Sequence, residues 1–264
     1  MADFEHVRKL IYEHAGISLS IAKQDMVYGR LSKRLRERRL KTFSEYLALL
    51  KKGDRIEWEQ FVNSLTTNLT SFFREPHHFP VLGAHLKKLH GKSSIKIWCC
   101  ASSTGEEPYS IAMTVVETLN SFNVPVSILA TDLDTNVLST AAKGIYAHDR
   151  IEQLSRERLN RFFTREGTDG SYAVRPELRR LVTFQRLNLL EPSWSARGPL
   201  DALFCRNIMI YFDKQTQYQI LKRFAPLLDN DGLLFAGHSE SFLYAHDLFR
   251  LQGKTVYELA NKKR

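Results

Sequence analysis

Carboxylates stand where two buried strands of this chain are expected to end. The apolar run 95–101 is typical of a central parallel strand, and a polar SSTG turn then leads into a helix that opens with Glu106 and Glu107. Asp132 closes a second apolar run, 27 residues beyond Gly105. Nucleotide-binding α/β folds place at this point an acid that accepts hydrogen bonds from ribose hydroxyls. The spacing therefore predicts a ribose-containing ligand.

The turn after the first strand argues against a phosphate ligand. It contains the single glycine Gly105 instead of G-x-G-x-x-G, and the negative charges of Glu106 and Glu107 would repel a phosphate. The ligand is therefore expected to be cationic or neutral. The spacing to the acid at position 132 favours Glu107 over Glu106 without excluding the latter. Asp134 suits a helix N-cap, because a helical pattern begins directly after it.

Further polar side chains follow the later strands. They are Asn188, then Arg206 with Asn207, and then His238, Ser239 and Glu240. Each alone is compatible with a turn or a helix cap. Because a parallel sheet collects the carboxyl ends of its strands on one edge, their joint placement predicts a site there.

The elements that position these residues follow from the hydrophobic periodicity. Helices are predicted over 2–15, 23–40, 43–52, 55–67, 105–120 and 214–228, and one from Pro76 to about His90. Strands are predicted over 124–134, 181–186, 200–205 and 232–237, with an antiparallel hairpin in LFRLQGKTVYELA. The irregular stretch from Tyr146 to Arg180 contains a hairpin at GTDGSYAV, which indicates a small inserted subdomain. The helical N-terminal part and the α/β part meet at a hinge, 68–74.

The charge is strongly positive, +9 with a pI near 9.5, and implies an anionic partner such as a nucleic acid, a membrane surface or an acidic protein. Val27, Leu31 and Leu35 recur at i, i+4 and i+8 and give the second helix an inward stripe. The opposite face carries the basic residues Arg30, Lys33 and Arg36. This face is either a solvated surface or a docking surface.

Composition indicates a soluble, cytoplasmic protein. The chain has no apolar run near the roughly 18 residues of a membrane helix, and its charged N-terminus is unlike a signal peptide. Cys99, Cys100 and Cys205 lie in apolar runs and are expected to be buried, reduced thiols. Adjacent His77 and His78 are expected to diverge, so no metal site is predicted.

The motifs together resemble one known family. In chain order NLTSFFRE, ASSTGEEPYS, ATDLD, NLL, FCRNIMIYFD and LLFAGHSESF look like the chemotaxis receptor methyltransferases, the CheR proteins. The resemblance covers essentially the whole chain. It implies an all-α N-terminal domain (1–67), a linker (68–75) that contributes to the cofactor site, and a Rossmann-like α/β methyltransferase domain (76–264) with an inserted β-subdomain (about 146–181). The implied activity is methyl transfer from S-adenosyl-L-methionine to glutamate side chains on cytoplasmic helices of chemoreceptors, with S-adenosyl-L-homocysteine as the product.

The resemblance also implies a role for individual residues. Asn68, Thr70 and Arg74 would reach over the cofactor, Glu107 would lie beside it, and Asp132 would hold its ribose. The adenine would lie between Asn188 and Leu189, and the methionine end near Arg206 and Asn207. Arg74 and Tyr211 are the candidate catalytic residues, and the basic helix is the candidate docking surface for receptors. The hairpin REGTDGSYAV is shorter and less glycine-rich than the form with which the family grips a receptor C-terminal peptide, which leaves such a tether open.

Two other classes compete with this interpretation. Nucleic-acid methyltransferases share the fold and the basic charge, but they usually carry aromatic base-binding loops, and no aromatic residue lies between Arg30 and Lys41. A non-catalytic adaptor that binds the same cofactor would keep Asp132 and lose the catalytic neighbours, yet Arg74 and Tyr211 are present. A receptor substrate, without nucleic acid and without membrane insertion, is therefore preferred.

Overall fold

The computed structural model describes residues 2–66, 68–167 and 170–261. Contacts within the chain divide it into two compact units. The helical unit combines the N-terminal residues up to 66 with Tyr211–Gln217, and the α/β unit contains Asn68–Ile210 and the chain from Tyr218 onward. In the described part of the chain, no helix has the length and apolarity required to cross a membrane.

The helical unit is built on short amphipathic helices. They are α1 (Ala2–Ala15), α2 (Gln24–Glu37), α3 (Phe43–Lys51) and α4 (Arg55–Leu65). Thr42 and Glu45 form a capping box at the start of α3, and Asp54 caps α4, so local sequence sets both boundaries. The predicted stripe of α2 is confirmed, because Val27, Leu31 and Leu35 are all buried.

Part of the positive charge on α2 is neutralised inside the helical unit. Glu57 is fully buried on α4 and accepts hydrogen bonds from Arg34, Arg38 and Tyr46. Burial opposes ionisation of Glu57, but these donors outweigh it and lower the pKa of the carboxyl. Arg30 is also occupied, since its guanidinium donates to main-chain oxygens at the end of α4. The basic face is therefore narrower than the sequence pattern indicates.

The α/β unit is organised on a seven-stranded sheet in the order β6-β2-β1-β7-β8-β10-β9. Its strands are β1 (Ile95–Cys99), β2 (Val126–Asp132), β6 (Val182–Arg186), β7 (Leu200–Cys205), β8 (Leu228–Ala236), β9 (Phe249–Gly253) and β10 (Val256–Leu259). β1, β2, β6, β7 and β8 run parallel to one another. The final hairpin of β9 and β10 joins β8 in an antiparallel arrangement, as predicted. The carboxyl ends of β1, β2, β6 and β7 therefore meet on one edge.

Helices cover this sheet and complete its core. They are α5 (His78–Lys88), α6 (Glu106–Leu119), α7 (Thr135–Lys143) and α11 (Lys214–Phe224). The core includes Ile97, Met113 and Phe235, all at most 1% exposed. Asp134 caps α7, as the sequence indicates, and Gly144, with φ of 64°, ends it. Cys99, Cys100 and Cys205 are buried free thiols, which confirms the prediction.

A small three-stranded sheet interrupts the α/β alternation, in the order β3-β5-β4. It contains β3 (Ile145–Tyr146), β4 (Phe163–Glu166) and β5 (Ser171–Val174), accompanied by α8 (His148–Ile151), α9 (Arg156–Phe162) and α10 (Pro176–Arg179). β4 and β5 pair antiparallel, so the predicted hairpin exists. Two turn residues of this hairpin, Thr168 and Asp169, lie outside the described residues. So do positions 1, 67 and 262–264, which the predicted domains include.

Some predicted boundaries are wrong. α5 begins at His78 and not at Pro76, which lies in a turn, because the backbone at Glu75 is left-handed, with φ of 54°. For the same reason His77 lies in this turn and not on the helix. The rings of His77 and His78 therefore do not diverge: their centroids are 4.3 Å apart, and both Nε2 atoms lie 3.2 Å from the carbonyl oxygen of Lys254.

Candidate active site

The turn between β1 and α6 is wrapped around Asp132. The main-chain N–H of Ser103 donates to Asp132 Oδ2 at 2.8 Å, and that of Asp134 donates to Oδ1 at 3.0 Å. Burial raises the pKa of Asp132 to about 6, although these donors oppose the shift. A carboxylate held at a sheet edge by main-chain donors retains lone pairs for two ligand hydroxyls.

Gly105 is required by the conformation of this turn. Its φ of +99° is left-handed, and an added Cβ would lie 2.7 Å from the Tyr146 hydroxyl and 2.9 Å from the Ala141 Cβ. The Tyr146 hydroxyl donates to the carbonyl oxygen of Thr104 at 2.7 Å. The small sheet, to which Tyr146 belongs, therefore supports the turn that holds the candidate ribose acid.

The segment predicted to reach over the ligand does contact this turn. Asn68 Nδ2 donates to Asp134 Oδ2 at 2.9 Å, and the carbonyl oxygen of Asn68 accepts from Ser103 Oγ at 3.1 Å. The carbonyl oxygen of Thr70 accepts a longer bond, 3.4 Å, from Arg150. The structure thus brings Asn68 into the same cluster as Asp132.

Glu106 and Glu107 face different partners. Glu106 is fully buried and binds Thr104 and Arg150, which connects the turn to α8. Glu107 instead pairs with Arg206 and accepts from the thiol of Cys99 at 3.2 Å. Glu107 therefore shares a cluster with a second predicted site residue, Arg206.

Arg206 links the end of β7 to the segment before α5. Its guanidinium is 1% exposed, pairs with Glu107, donates to the carbonyl oxygen of Arg74 and lies 3.4 Å from Glu75 Oε2. Glu75 Oε1 accepts from the main-chain N–H of His238 at 3.1 Å and lies 3.0 Å from its Nδ1. Sequence reasoning missed Glu75, and the one available signal was an acid directly after Arg74.

Burial opposes ionisation of Glu75, but the hydrogen bond from His238 and the charge of Arg206 outweigh it and lower the pKa of Glu75 to about 2. Burial, together with the charge of Arg206, lowers the pKa of His78 to about 4. At neutral pH Glu75 is therefore ionised and the neighbouring His78 is neutral.

Arg74 is half-buried, and its Nη1 donates to the carbonyl oxygen of Leu69 at 2.9 Å. Its neighbours Phe73 and Glu75 both have left-handed backbones, with φ of 52° and 54°. Non-glycine residues in this region are strained and cluster at functional sites. The Arg74 guanidinium is therefore held beside the turn from which it extends, and the backbone of this turn has an unusual conformation.

The predicted adenine contacts lie at the end of β6. Asn188 Oδ1 accepts from the main-chain N–H of Leu190 at 2.9 Å, which makes Asn188 a turn residue. Leu189 is 4% exposed, and its carbonyl oxygen accepts from Trp194 and Arg223. The side chain of Leu189 is therefore part of the packing and presents little surface to a ligand.

Asn207 follows Arg206 in a left-handed conformation, with φ of 58°. Its main-chain N–H donates to Glu240 Oε2 at 2.9 Å, and Glu240 also accepts from the N–H groups of Gly237 and Met209. Glu240, which is 4% exposed, thus ties the loop after β7 to the loop after β8. This arrangement fixes the backbone at Arg206 and Asn207.

Tyr211 belongs to the helical unit and not to the unit that contains the other candidates. Its carbonyl oxygen accepts from the main-chain N–H of Ser18 at 2.7 Å, and the ammonium of Lys23 lies 5.0 Å from its ring centroid. Nearby, the hydroxyl of Tyr12 donates to Asp213 at 2.8 Å. Residues on α1 and before α2 therefore determine where the backbone of Tyr211 lies.

A metal-like cluster exists beside this site. Ligand atoms of Glu75, His77 and His78 lie within 4.8 Å of one another. The guanidinium of Arg206, 3.4 Å from Glu75, would repel a cation there, and His78 Nε2 is already engaged by Lys254 and Thr255. We therefore assign no metal to it.

Family models match both parts of the chain. "CheR methyltransferase, all-alpha domain" matches residues 2–66, and "CheR methyltransferase, SAM binding domain" matches residues 68–257. The chain belongs to the CheR methyltransferase family. This agrees with the all-α part followed by a Rossmann-like α/β part, and it establishes an S-adenosylmethionine-dependent methyltransferase of the CheR type.

Curated relatives agree with the family assignment. The chain is 50% identical to the "Chemotaxis protein methyltransferase" of Escherichia coli strain K12, over 98% of this chain and 91% of that protein. It is 52% identical to the "Chemotaxis protein methyltransferase 2" of Pseudomonas aeruginosa, over 98% and 93%. A "Probable chemotaxis protein methyltransferase" from Rhizobium etli is 38% identical, over 96% and 98%.

The residues present fit the cofactor of this family. Arg206 Nε and Glu75 Oε2 are buried and have no hydrogen-bond partner within the described residues. A buried donor or acceptor that makes no hydrogen bond lowers the stability of the fold, unless a ligand or a water molecule supplies the missing bond. S-adenosylmethionine carries both a carboxylate and an ammonium at its methionine end, so the chemistry of the two orphaned atoms matches it.

Proposed function

We propose that this CheR-family protein is a protein-glutamate O-methyltransferase that acts in the cytoplasm on the cytoplasmic helices of chemoreceptors. The observation that carries the proposal is the cluster in which Arg206 joins Glu107 and the Arg74–Glu75 segment, beside the strand edge that presents Asp132. The chemotaxis methyltransferases that resemble this chain support the receptor substrate.

The cofactor residues divide by the part of the ligand that each would hold. Asp132 would accept from the ribose hydroxyls, with Asn68 and Thr70 closing over it. Asn188 and Leu189 would flank the adenine, the latter through its backbone. Glu107, Arg206 and Asn207 would hold the methionine end, where S-adenosylmethionine supplies a methyl group on a positively charged sulfur.

The chemistry requires no general base. A glutamate side chain has an ordinary pKa of about 4.3, so the substrate carboxylate is already ionised at neutral pH. The task of the protein is orientation, and holding two reactants in line contributes on the order of 7–11 kcal/mol. Arg74 would orient the incoming carboxylate through charged hydrogen bonds, and Tyr211 would lie near the transferred methyl.

The first prediction concerns the product. Incubation of the wild-type protein with methyl-labelled cofactor and a receptor cytoplasmic fragment should give labelled receptor, because a carboxylate oxygen attacks the methyl group. The label should leave as methanol in mild base, since the product is a carboxyl ester. Parallel incubation with RNA should give no label. Base-stable label on the receptor, or label on RNA alone, would replace the proposed activity by another methyl transfer.

The helical unit is proposed to dock the receptor. Segments with methyl-accepting glutamates are acidic, and Lys33 and Arg36 on α2 are exposed cations that complement them. Arg30, the third residue of the proposed surface, also has the structural role of binding main-chain oxygens of Ser64 and Thr66. A test of docking should therefore leave Arg30 in place.

The second prediction is a salt-dependent loss of receptor affinity. Replacing Lys33 and Arg36 together by alanine should lower methylation severalfold at low receptor concentration, because two attractive charges are removed, and should leave S-adenosylhomocysteine affinity unchanged. The wild-type rate should also fall more steeply with salt, since exposed charges are screened over about 8 Å at physiological ionic strength. Initial rates across a salt series measure both effects.

A matched control removes two exposed lysines elsewhere, Lys87 and Lys88 on α5. This variant has the same net charge as the α2 variant, so a general charge effect would appear in both. Equal salt dependence in the two variants and the wild type would show that α2 is only a solvated face.

The domain division remains part of the proposal: an N-terminal domain (1–67), a linker (68–75), and a methyltransferase domain (76–264) with an insert at about 146–181. The ranges of the two family models and the small separate sheet support it. A receptor C-terminal peptide tether is not proposed.

A further inference from the structure

The backbone around Arg74 is strained on both sides. Phe73 and Glu75, on either side of it, are non-glycine residues with left-handed φ values of 52° and 54°. Such conformations persist only where surrounding contacts hold them. The contacts that hold this turn therefore determine where the Arg74 side chain begins.

Contacts from separate elements hold the turn. The main-chain N–H of Phe73 donates to Ser110 Oγ on α6 at 2.9 Å, and Arg206 donates to the carbonyl oxygen of Arg74. Arg158 packs on the ring of Phe73, 3.8 Å from its centroid, and Glu75 supplies a further anchor with its own carboxylate. Oε1 accepts from the N–H of His238, and Oε2 faces the guanidinium of Arg206 at 3.4 Å.

The Glu75 carboxylate thus acts on two groups of the site together. It fixes the strained turn to the loop after β8, and it restrains the guanidinium that in turn binds the carbonyl oxygen of Arg74. The Glu75 side chain is 9% exposed and ionised at neutral pH, so its contact with the buried guanidinium of Arg206 is charged and shielded from water.

We propose that Glu75 is a positioning residue for methyl transfer, which acts by fixing the strained turn from which Arg74 reaches the substrate carboxylate. This inference rests on the proposed function and adds to it a role of Glu75 toward Arg74, separate from the match of Glu75 Oε2 to the cofactor. A positioning role differs from a purely structural one because its effect must pass through Arg74.

The test uses Glu75→Gln in the full-length protein. Glutamine keeps the length of the side chain and removes its charge. We expect kcat for receptor methylation to fall about tenfold, because one charged hydrogen-bonding contact is lost, while KM for the receptor fragment changes less than about twofold. Glu258→Gln is the matched control, since it also neutralises a largely buried glutamate paired with an arginine, Arg250, in the same unit.

A double-mutant cycle decides whether the effect passes through Arg74. In an Arg74→Ala background, Glu75→Gln should lower kcat by less than about twofold further, since there is no guanidinium left to position. A full additional tenfold loss would mean that Glu75 acts independently of Arg74, and this would overturn the proposal. An unchanged kcat in the single variant would overturn it as well.

A measurement without activity separates this inference from the proposed function. In a protein labelled with ¹⁵N-arginine, the Nε–H signal of Arg74, assigned by its loss in Arg74→Lys, should shift or broaden in Glu75→Gln and remain in place in Glu258→Gln. An unchanged signal would overturn the positioning role. If the wild type fails to methylate receptors, the proposed function fails, and the arginine spectra still decide the role of Glu75.

Discussion

Replacing Arg74 by alanine is expected to lower the rate of receptor methylation on the order of a hundredfold, while S-adenosylhomocysteine affinity falls less than about threefold. The guanidinium is the charged donor proposed to orient the substrate carboxylate, and such interactions contribute most in the transition state. Its position beside a strained, anchored turn fits this role. Single-turnover rates with a receptor fragment, together with calorimetric titration of the product, measure the two quantities separately.

Two variants sharpen the Arg74 experiment. Arg74→Lys keeps the charge but not the forked geometry, so it should recover part of the rate. Arg250→Ala removes an arginine that is 65% exposed and pairs with Glu258, so it should behave as the wild type. If Arg74→Ala loses rate and cofactor affinity equally, Arg74 is a cofactor ligand and not a catalytic residue.

Tyr211→Phe is the companion to this experiment. Removing the hydroxyl leaves the ring and the backbone contact with Ser18 intact. We expect a smaller loss of rate than for Arg74→Ala, with cofactor affinity unchanged, because one neutral polar group is lost. A wild-type rate would remove Tyr211 from the catalytic residues.

Asp132→Asn is expected to weaken S-adenosylhomocysteine binding tenfold to a hundredfold, on the order of the 1.5–3 kcal/mol of a hydrogen bond to a charged group. The two main-chain donors to Asp132 show that its carboxylate is already oriented. Calorimetric titration gives the affinity. Wild-type affinity in a folded variant would show that Asp132 is not a cofactor ligand.

The same carboxyl predicts a pH dependence. Burial raises the pKa of Asp132 to about 6, so the ligand-free folded state binds a proton more tightly than the unfolded state, whose ordinary value is 3.8. Asp132 therefore makes the ligand-free protein less stable as pH rises through 6, while its ionised form is the better hydrogen-bond acceptor. We expect product affinity in the wild type to fall from pH 7.5 to pH 5, and Asp132→Asn to lack this part of the pH dependence.

Local patterns were sufficient to predict much of the fold. Apolar runs and polar turns located β1, β2 and β7, and capping residues such as Asp134 located helix starts, because these signals act over a few residues. The same patterns were sufficient to predict that Asp132 lies at the end of a strand. Boundaries failed where the backbone is unusual, as at Pro76, since a left-handed glutamate has no sequence signature.

Contacts between distant residues were not predictable. Glu107 and Arg206 are 99 positions apart, and the parallel pairing of β1 with β7 brings them together. The compensation of Arg34 by buried Glu57 likewise depends on how α2 packs on α4. Charge counts treat every arginine alike, so the sequence overestimated the basic surface.

The discontinuity of the helical unit has a consequence for how the chain folds during synthesis. Domains generally form as units from the N-terminus as the chain emerges. Here Tyr211–Gln217 belong with the helices made first, so the contacts of those helices with this segment form only after most of the parallel sheet has been synthesised. Ser18 and Tyr12 find their partners only then. A fragment that ends before this segment would therefore lack the partners of the Ser18 N–H and the Tyr12 hydroxyl, and deletion of the N-terminal helices would leave Tyr211–Gln217 without the residues that they contact.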